Sequence, residues 1–250
     1  MTQTIITTGS IDSSLSLASE LAKKGKQVYS LPMIKISPVA DKHDIQHTCN
    51  TIETYDWIIF TSKHGVSYFF DELYTYTHSY KIPKHIHIAC IGNKTAIQLD
   101  AYSHSADYIS QSNNGLDFAR EIQTRISKHS PNHVSLLFPT GNLTDNKIAQ
   151  HIPAHASIKQ LIVYNTIRPQ TYNKKIVSLI ADNAYDYIIF TSSSGVQHFV
   201  ELCAESIKIA GIKALSIGPS TTKTLKEAGV QSITQAQEYT IEGIVKQIAP

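Results

Sequence analysis

Six short clusters of hydroxyl, glycine and amide residues carry the chemistry this chain advertises. They are Thr7-Thr8-Gly9-Ser10, Thr61-Ser62, Gly92-Asn93-Lys94-Thr95, Thr140-Gly141-Asn142, Thr191-Ser192-Ser193-Ser194 and Gly218-Pro219-Ser220-Thr221. Each comes after a short apolar run and is expected to precede a helix. Free backbone N–H groups and the positive end of a helix dipole make such turns receptive to anions, and hydroxyls add donors. Ser and Thr there are also ordinary helix caps, each worth about 1 kcal/mol. For any single turn both roles stay open. Six of them together point to a ligand with several carboxylates or phosphates. None has the spacing of a Walker loop or of G-x-G-x-x-G, so nucleotide binding has no specific support.

Tyr164 is the other reactive candidate. It lies in "LIVYNTIRP", an apolar run that ends in a proline-bearing passage. Its phenol can donate a hydrogen bond or a proton. Packing at a chain crossing explains a tyrosine there equally well, and "KQVYSLPMIKISP" carries Tyr29 at the matching place. The sequence admits both roles.

Other chemistry is poorly served. His43 and His47 can share a helix face, and His85 and His87 are expected to alternate along a strand. Neither pair has an acidic partner or a third ligand in view, so no metal is implied. Paired carboxylates at strand ends are missing, which weighs against glycosidase-type acid–base work. Ser193 sits in T-S-S-S-G rather than the G-x-S-x-G elbow of a serine hydrolase.

The elements that must position these residues are written twice. "YDWIIFTSKHGVSYFF" from Tyr55 returns as "YDYIIFTSSSGVQHFV" from Tyr185. Each reads as a buried strand, a polar turn and an amphipathic helix. "HIHIACIGNKTAIQL" from His85 is matched by "IKALSIGPSTTKTL" from Ile212, with Thr95 and Thr221 each three residues after a glycine. A weaker pair, "NNGLDFAREI" from Asn113 and "TIEGIVKQIA" from Thr240, reads as two helix starts.

The remaining partners lie at the wrong end of the chain. "SLLFPTGN" from Ser135 matches "TIITTGS" from Thr4, and "IKQLIVYNTIRP" from Ile158 matches "KQVYSLPMIKISP" from Lys26. The two units are therefore circular permutations of each other. The expected fold is α/β: two doubly wound parallel-sheet domains of about five strands each. One domain is discontinuous, 1–36 plus 170–250; the other, 39–165, is inserted into it. Residues 31–38 and 164–169 form a two-stranded hinge. A cleft between the domains is expected at the carboxyl ends of the strands.

Bulk properties narrow the classes further. A net charge of +2 offers no basic face for nucleic acid. No apolar run approaches the length of a membrane span, and "MTQTIITTGS" lacks the pattern of a secretory leader. Three unclustered cysteines suit reduced thiols in the cytoplasm better than a disulfide framework or a zinc ribbon.

Together, "DWIIFTSKHGV", "CIGNKTAIQL", "LLFPTGN", "LIVYNTIRP", "IIFTSSSGV" and "SIGPSTTKTLKEAGV" resemble the uroporphyrinogen-III synthase family in order and spacing, over nearly the whole chain. The resemblance implies a lyase that cyclises hydroxymethylbilane, a linear tetrapyrrole, to uroporphyrinogen III with loss of water and inversion of ring D. It implies no metal or organic cofactor. Tyr164 matches the family tyrosine that assists departure of the hydroxyl. Thr95, Thr221, Ser62, Ser192, Ser194 and Lys213 match residues that hold the substrate. Thr61, Gly92, Asn93, Gly141, Asn142 and Gly218 belong to the same turns. One departure is Thr7-Thr8-Gly9, where the family often has a basic turn; another is Lys63, which replaces a common arginine or asparagine. A monomer in transient contact with hydroxymethylbilane synthase is expected. The competing expectation is a two-lobed protein that binds an anionic ligand or a tetrapyrrole without catalysis.

Overall fold

A computed structural model describes residues 2–110, 112, 115–129, 133–203 and 205–249. Asn113 and Asn114, which open the weaker repeated helix pair, lie outside the described residues. In chain order the elements begin β1 (Thr4–Thr7), α1 (Ile11–Lys23), β2 (Gln27–Ser30), β3 (Lys35–Pro38), α2 (His43–Asn50) and β4 (Trp57–Phe60). They continue with α3 (Lys63–Thr77), β5 (His87–Ile91), α4 (Asn93–Asp100), β6 (Tyr108–Ser110), α5 (Gly115–His129), β7 (Val134–Gly141) and β8 (Ala156–Ile167). The chain closes with α6 (Lys174–Ala181), β9 (Tyr187–Phe190), α7 (Ser193–Cys203), β10 (Lys213–Ser216), α8 (Pro219–Glu227), β11 (Ser232–Gln235) and α9 (Ile241–Ile248).

Two sheets result. The five-stranded sheet runs β11-β10-β9-β1-β2, and the six-stranded sheet runs β3-β8-β7-β4-β5-β6. Starting the first sheet at β9, its strands take the same spatial order as β4 to β8 in the second. This is the permuted repeat in three dimensions. Packing divides the chain into two compact units, Met1–Ile36 with Ile167–Pro250, and Ser37–Thr166. The two passages that link them run through β3 and β8, neighbours in the second sheet.

Alternation along the strands builds a core on each face of the first sheet. Ile6, Ile188, Phe190 and Ala214 pack with Ile176, Val196, Phe199 and Leu225 of α6, α7 and α8. The residues between them, Ile5, Ile189 and Leu215, pack with Leu17 and Leu21 of α1 and Ile244 and Ile248 of α9. Strands buried on both faces must be apolar throughout, which is why YIIF and WIIF carry no polar residue facing water. The second sheet does the same. Trp57, Ile59, Ala89, Leu136 and Phe138 meet Phe118, Ile122 and Ile126 of α5. On its other face the Phe60 ring lies 5.7 Å from that of Phe69 on α3.

Three expectations change. Thr140-Gly141-Asn142 does not precede a helix: turns come next, then a single 3₁₀ turn at Ala149–His151 before β8. Ile152, held extended ahead of Pro153, ends that 3₁₀ turn before it can grow into a helix. His85 lies in a turn, ahead of β5, so it does not alternate with His87 on a strand. The "QVYSLPMIKISP" segment is not one strand like β8. Leu31-Pro32-Met33 breaks it into β2 and β3, which join different sheets; proline lacks the N–H that a continuing ladder requires. Among the described residues no helix is long and apolar enough to cross a membrane.

Candidate functional site

In the unit 37–166 the ends of β4 and β7 meet at Tyr164 of β8. Strands β4, β5, β6, β7 and β8 pair in parallel, so the turns at their carboxyl ends collect along one edge of the sheet. β4 delivers Thr61-Ser62. Ser62 has extended backbone angles and caps α3, accepting a hydrogen bond from the N–H of Gly65 at 2.9 Å. Gly65 is itself required: a Cβ there would come within 2.9 Å of the Pro139 carbonyl oxygen. The helix start is thus seated directly on β7.

β8 delivers Tyr164 through an irregular register. Thr140 pairs with Ile162, but Gly141 pairs with Tyr164, so Val163 is the extra residue of a bulge. The bulge sets the tyrosine, rather than the valine, opposite the glycine. Asn142 donates its N–H to the Tyr164 carbonyl at 3.2 Å and accepts from the Thr166 N–H at 2.7 Å through Oδ1. Those two bonds hold the end of β8 against the turn.

Tyr164 as a whole is 9% exposed. Its hydroxyl lies 3.2 Å from Ser62 Oγ, either oxygen being able to donate. His64 approaches edge-on, with ring centroids 5.8 Å apart, and Tyr68 lies at 5.7 Å. His64 and Tyr68 sit four residues apart on α3, hence on one face of the helix. Sequence reasoning did not single out either ring. The signal available was their i, i+4 spacing immediately after a predicted cap.

Tyr29 is not the counterpart of Tyr164. Tyr29 pairs with Ile6, three residues before Gly9. The residue three before Gly141 is Phe138, and it pairs with Gln160. Tyr29 therefore corresponds to Gln160, and among the described residues no tyrosine is hydrogen-bonded to Ser192, the capping serine of the other unit.

Elsewhere on this edge, Gly92 precedes α4 with φ at +69°, a conformation that favours glycine. Its N–H donates to the Ser110 carbonyl at 3.0 Å. Asn93 and Lys63 are exposed at the first positions of their helices, while Thr95 is buried. The open groups at this edge thus include the Lys63 ammonium, the Asn93 and Asn142 amides and the Thr61 hydroxyl, whereas the Ser62 hydroxyl is engaged by Gly65 and Tyr164.

The other unit repeats the turns with different partners. Ser192 accepts from the Gly195 N–H at 3.1 Å, as Ser62 does from Gly65. Its second contact is Ser194 Oγ at 3.2 Å. Ser193 and Ser220 lie 3.0 Å apart through their hydroxyls, which brings the N-termini of α7 and α8 together. Two helix ends side by side concentrate unpaired N–H donors. Gly218 precedes α8 with an extended backbone, and Thr221 is buried one turn in. Thr8 spends its hydroxyl on the Ile189 carbonyl at 2.8 Å.

Lys213 does not join this group. It opens β10, in register with Ser232 at the start of β11, so it stands at the amino edge of the sheet. Its amino group donates to the Tyr185 carbonyl at 3.3 Å and sits 5.4 Å from the centre of the Tyr185 ring. A residue placed just before a strand falls at the edge opposite to one placed just after it.

Cys49, Cys90 and Cys203 are free and buried. Burial pushes the Cys49 and Cys90 thiols up to about 12, with the nearby Glu72 carboxylate adding to the effect at Cys49. Burial raises Cys203 to about 11. Such thiols are packing groups rather than nucleophiles.

Comparison with known proteins gives the family and the fold. A family model described as uroporphyrinogen-III synthase HemD matches residues 16–246. A uroporphyrinogen-III synthase of Synechococcus elongatus is 29% identical over 264 residues, covering 97% of this chain and 93% of that protein. The porphyrin biosynthesis protein HemD of Ruminiclostridium josui is 24% identical over 98% of this chain, which spans only 47% of its length. The fold of Helicobacter pylori uroporphyrinogen-III synthetase superposes with a TM-score of 0.62 at 17% identity, covering 99% of this chain and 98% of that one. With a family model spanning nearly all of its length, the chain belongs to the uroporphyrinogen-III synthase family.

Proposed function

We propose that this protein is a lyase that converts hydroxymethylbilane into uroporphyrinogen III, acting as a cytoplasmic monomer and taking its substrate from hydroxymethylbilane synthase. The observation that carries the reading is the Tyr164 phenol, locked by Gly141 and held against Ser62 at the carboxyl edge of its sheet. Tyr164 gives its proton to the hydroxyl leaving ring A, which departs as water. The azafulvene left behind is attacked by the substituted carbon of ring D. The spirocyclic product fragments and recloses with ring D inverted. The proton lost as that ring regains aromaticity returns to the phenolate, so the step balances.

The turns serve the carboxylates of the substrate. Thr61, Lys63, Asn93 and Asn142 in one unit, and Ser192, Ser194 and Gly218 in the other, offer hydroxyl, ammonium, amide or backbone N–H donors; the Gly92 N–H is spent on Ser110, and the buried Thr95 and Thr221 support their helix starts. Lys213 is not among them. Much of the catalysis is positioning: the bound chain must be held so that inverting closure outruns the spontaneous one.

The test is product analysis. Hydroxymethylbilane is generated in situ, the protein added, the product oxidised and the uroporphyrin isomers separated. Predominantly type III isomer supports the reading. Type I isomer alone, at the spontaneous rate, overturns it; saturable tetrapyrrole binding with that outcome identifies a non-catalytic binder instead.

A further inference from the structure

Ser62 does two things that its counterpart in the repeat does not combine. Both Ser62 and Ser192 cap a helix by accepting from a glycine N–H three residues on. The cap therefore explains a serine at either place. It does not explain the second contact, which is another serine for Ser192 and the Tyr164 phenol for Ser62.

A serine hydroxyl has one proton and two acceptor sites. At Ser62 one acceptor site is taken by the Gly65 N–H. The Tyr164 hydroxyl lies 3.2 Å away and cannot swing aside easily. The Gly141 backbone blocks one side of the ring, since even a methyl group at 141 would fall 2.5 Å from Cε2; His64 and Tyr68 stand against the ring elsewhere. If Tyr164 donated into Ser62, its only proton would be committed and none would remain for a departing hydroxyl.

We propose that Ser62 is a positioning residue for Tyr164 rather than a substrate ligand: it donates its proton to the phenol oxygen and leaves the phenol proton free for the reacting group. The Gly65 N–H, which Ser62 accepts to cap α3, takes one acceptor site of the serine and leaves its proton for the tyrosine. This inference rests on the catalytic reading of Tyr164.

The experiment is a double-variant cycle on the full chain, with Ser62→Gly, Tyr164→Phe, the pair, and Ser62→Thr as rescue. Glycine caps a helix nearly as well as serine, so Ser62→Gly removes the hydroxyl with little loss of the cap. Ser62→Gly is expected to lower kcat on the order of tenfold, the scale of one lost hydrogen bond, with KM changed less than about twofold. In the Tyr164→Phe background the same change should cost less than about twofold, because its only route of action is gone. Ser62→Thr, which keeps the hydroxyl, should restore most of kcat. The proposal is overturned if Ser62→Gly costs the same factor in both backgrounds, or if its effect appears in KM. Either result makes Ser62 a substrate ligand or only a cap while leaving Tyr164 in place. If Tyr164→Phe itself leaves kcat unchanged, the reading of Tyr164 fails and takes this proposal with it.

Discussion

Gly141 and Tyr164 face each other across β7 and β8, so closely that a Cβ on residue 141 would lie 2.5 Å from Cε2, 2.6 Å from Cζ and 2.9 Å from the hydroxyl of the tyrosine. Gly141→Ala must therefore displace the ring. The expected cost is about 1–3 kcal/mol of stability, as for overpacking a filled core, with a fall in turnover. Urea unfolding and steady-state kinetics measure the two. Gly211→Ala is the control: a Cβ there meets nothing within 4 Å, so its stability should stay within about 0.5 kcal/mol of the parent.

Tyr164→Phe removes one hydroxyl and keeps the ring in place between Gly141 and α3. Turnover should fall while stability changes by about 1 kcal/mol or less. Rate assays alongside thermal melting separate the two effects. A large loss of stability with a proportionate loss of activity would instead mark the tyrosine as a packing residue.

Lys213→Ala should leave kcat/KM within about twofold of the parent, because Lys213 sits at the amino edge of its sheet. Losing its contact with the Tyr185 ring should cost about 0.5–1 kcal/mol in unfolding. A tenfold rise in KM would return the lysine to the binding groups.

The three thiols set an alkaline limit. Their folded values, about 12, 12 and 11, lie above the ordinary cysteine value. Above about pH 9 the unfolded chain therefore releases protons that the folded chain keeps, and stability must fall as pH rises. The slope is about 1.4 kcal/mol per pH unit for each thiol until its folded value is reached. Unfolding measured between pH 8 and 10.5 should show the decline, and Cys90→Ala should lessen its steepness. At pH 8 the native protein should resist an aromatic disulfide reagent, and all three thiols should react once it is unfolded.

Some of this was legible in the residues. Buried strands of a doubly wound sheet must be apolar on both faces, so WIIF, YIIF and the Ile-Ala-Cys-Ile of β5 announce themselves, and a polar turn comes after each. Because the same order of turns occurs twice from different starting points, the shared strand order of the two sheets could be read as a permuted repeat. Strand direction was legible as well. It puts Ser62 and Gly92 at one edge, and it should have excluded Lys213, which precedes its strand. What the sequence alone could not decide is register. Tyr29 and Tyr164 stand at matching places in two similar strings of letters. Pairing puts Tyr29 against Ile6, while a bulge at Val163 puts Tyr164 against Gly141. Local pattern specifies which residues are extended and which face is apolar. Whether a strand gains one extra residue depends on the energy of a whole ladder and of the turn that closes it, here the Asn142 bonds to Tyr164 and Thr166. That single residue of slip, made only in the folded chain, brings the phenol to Ser62.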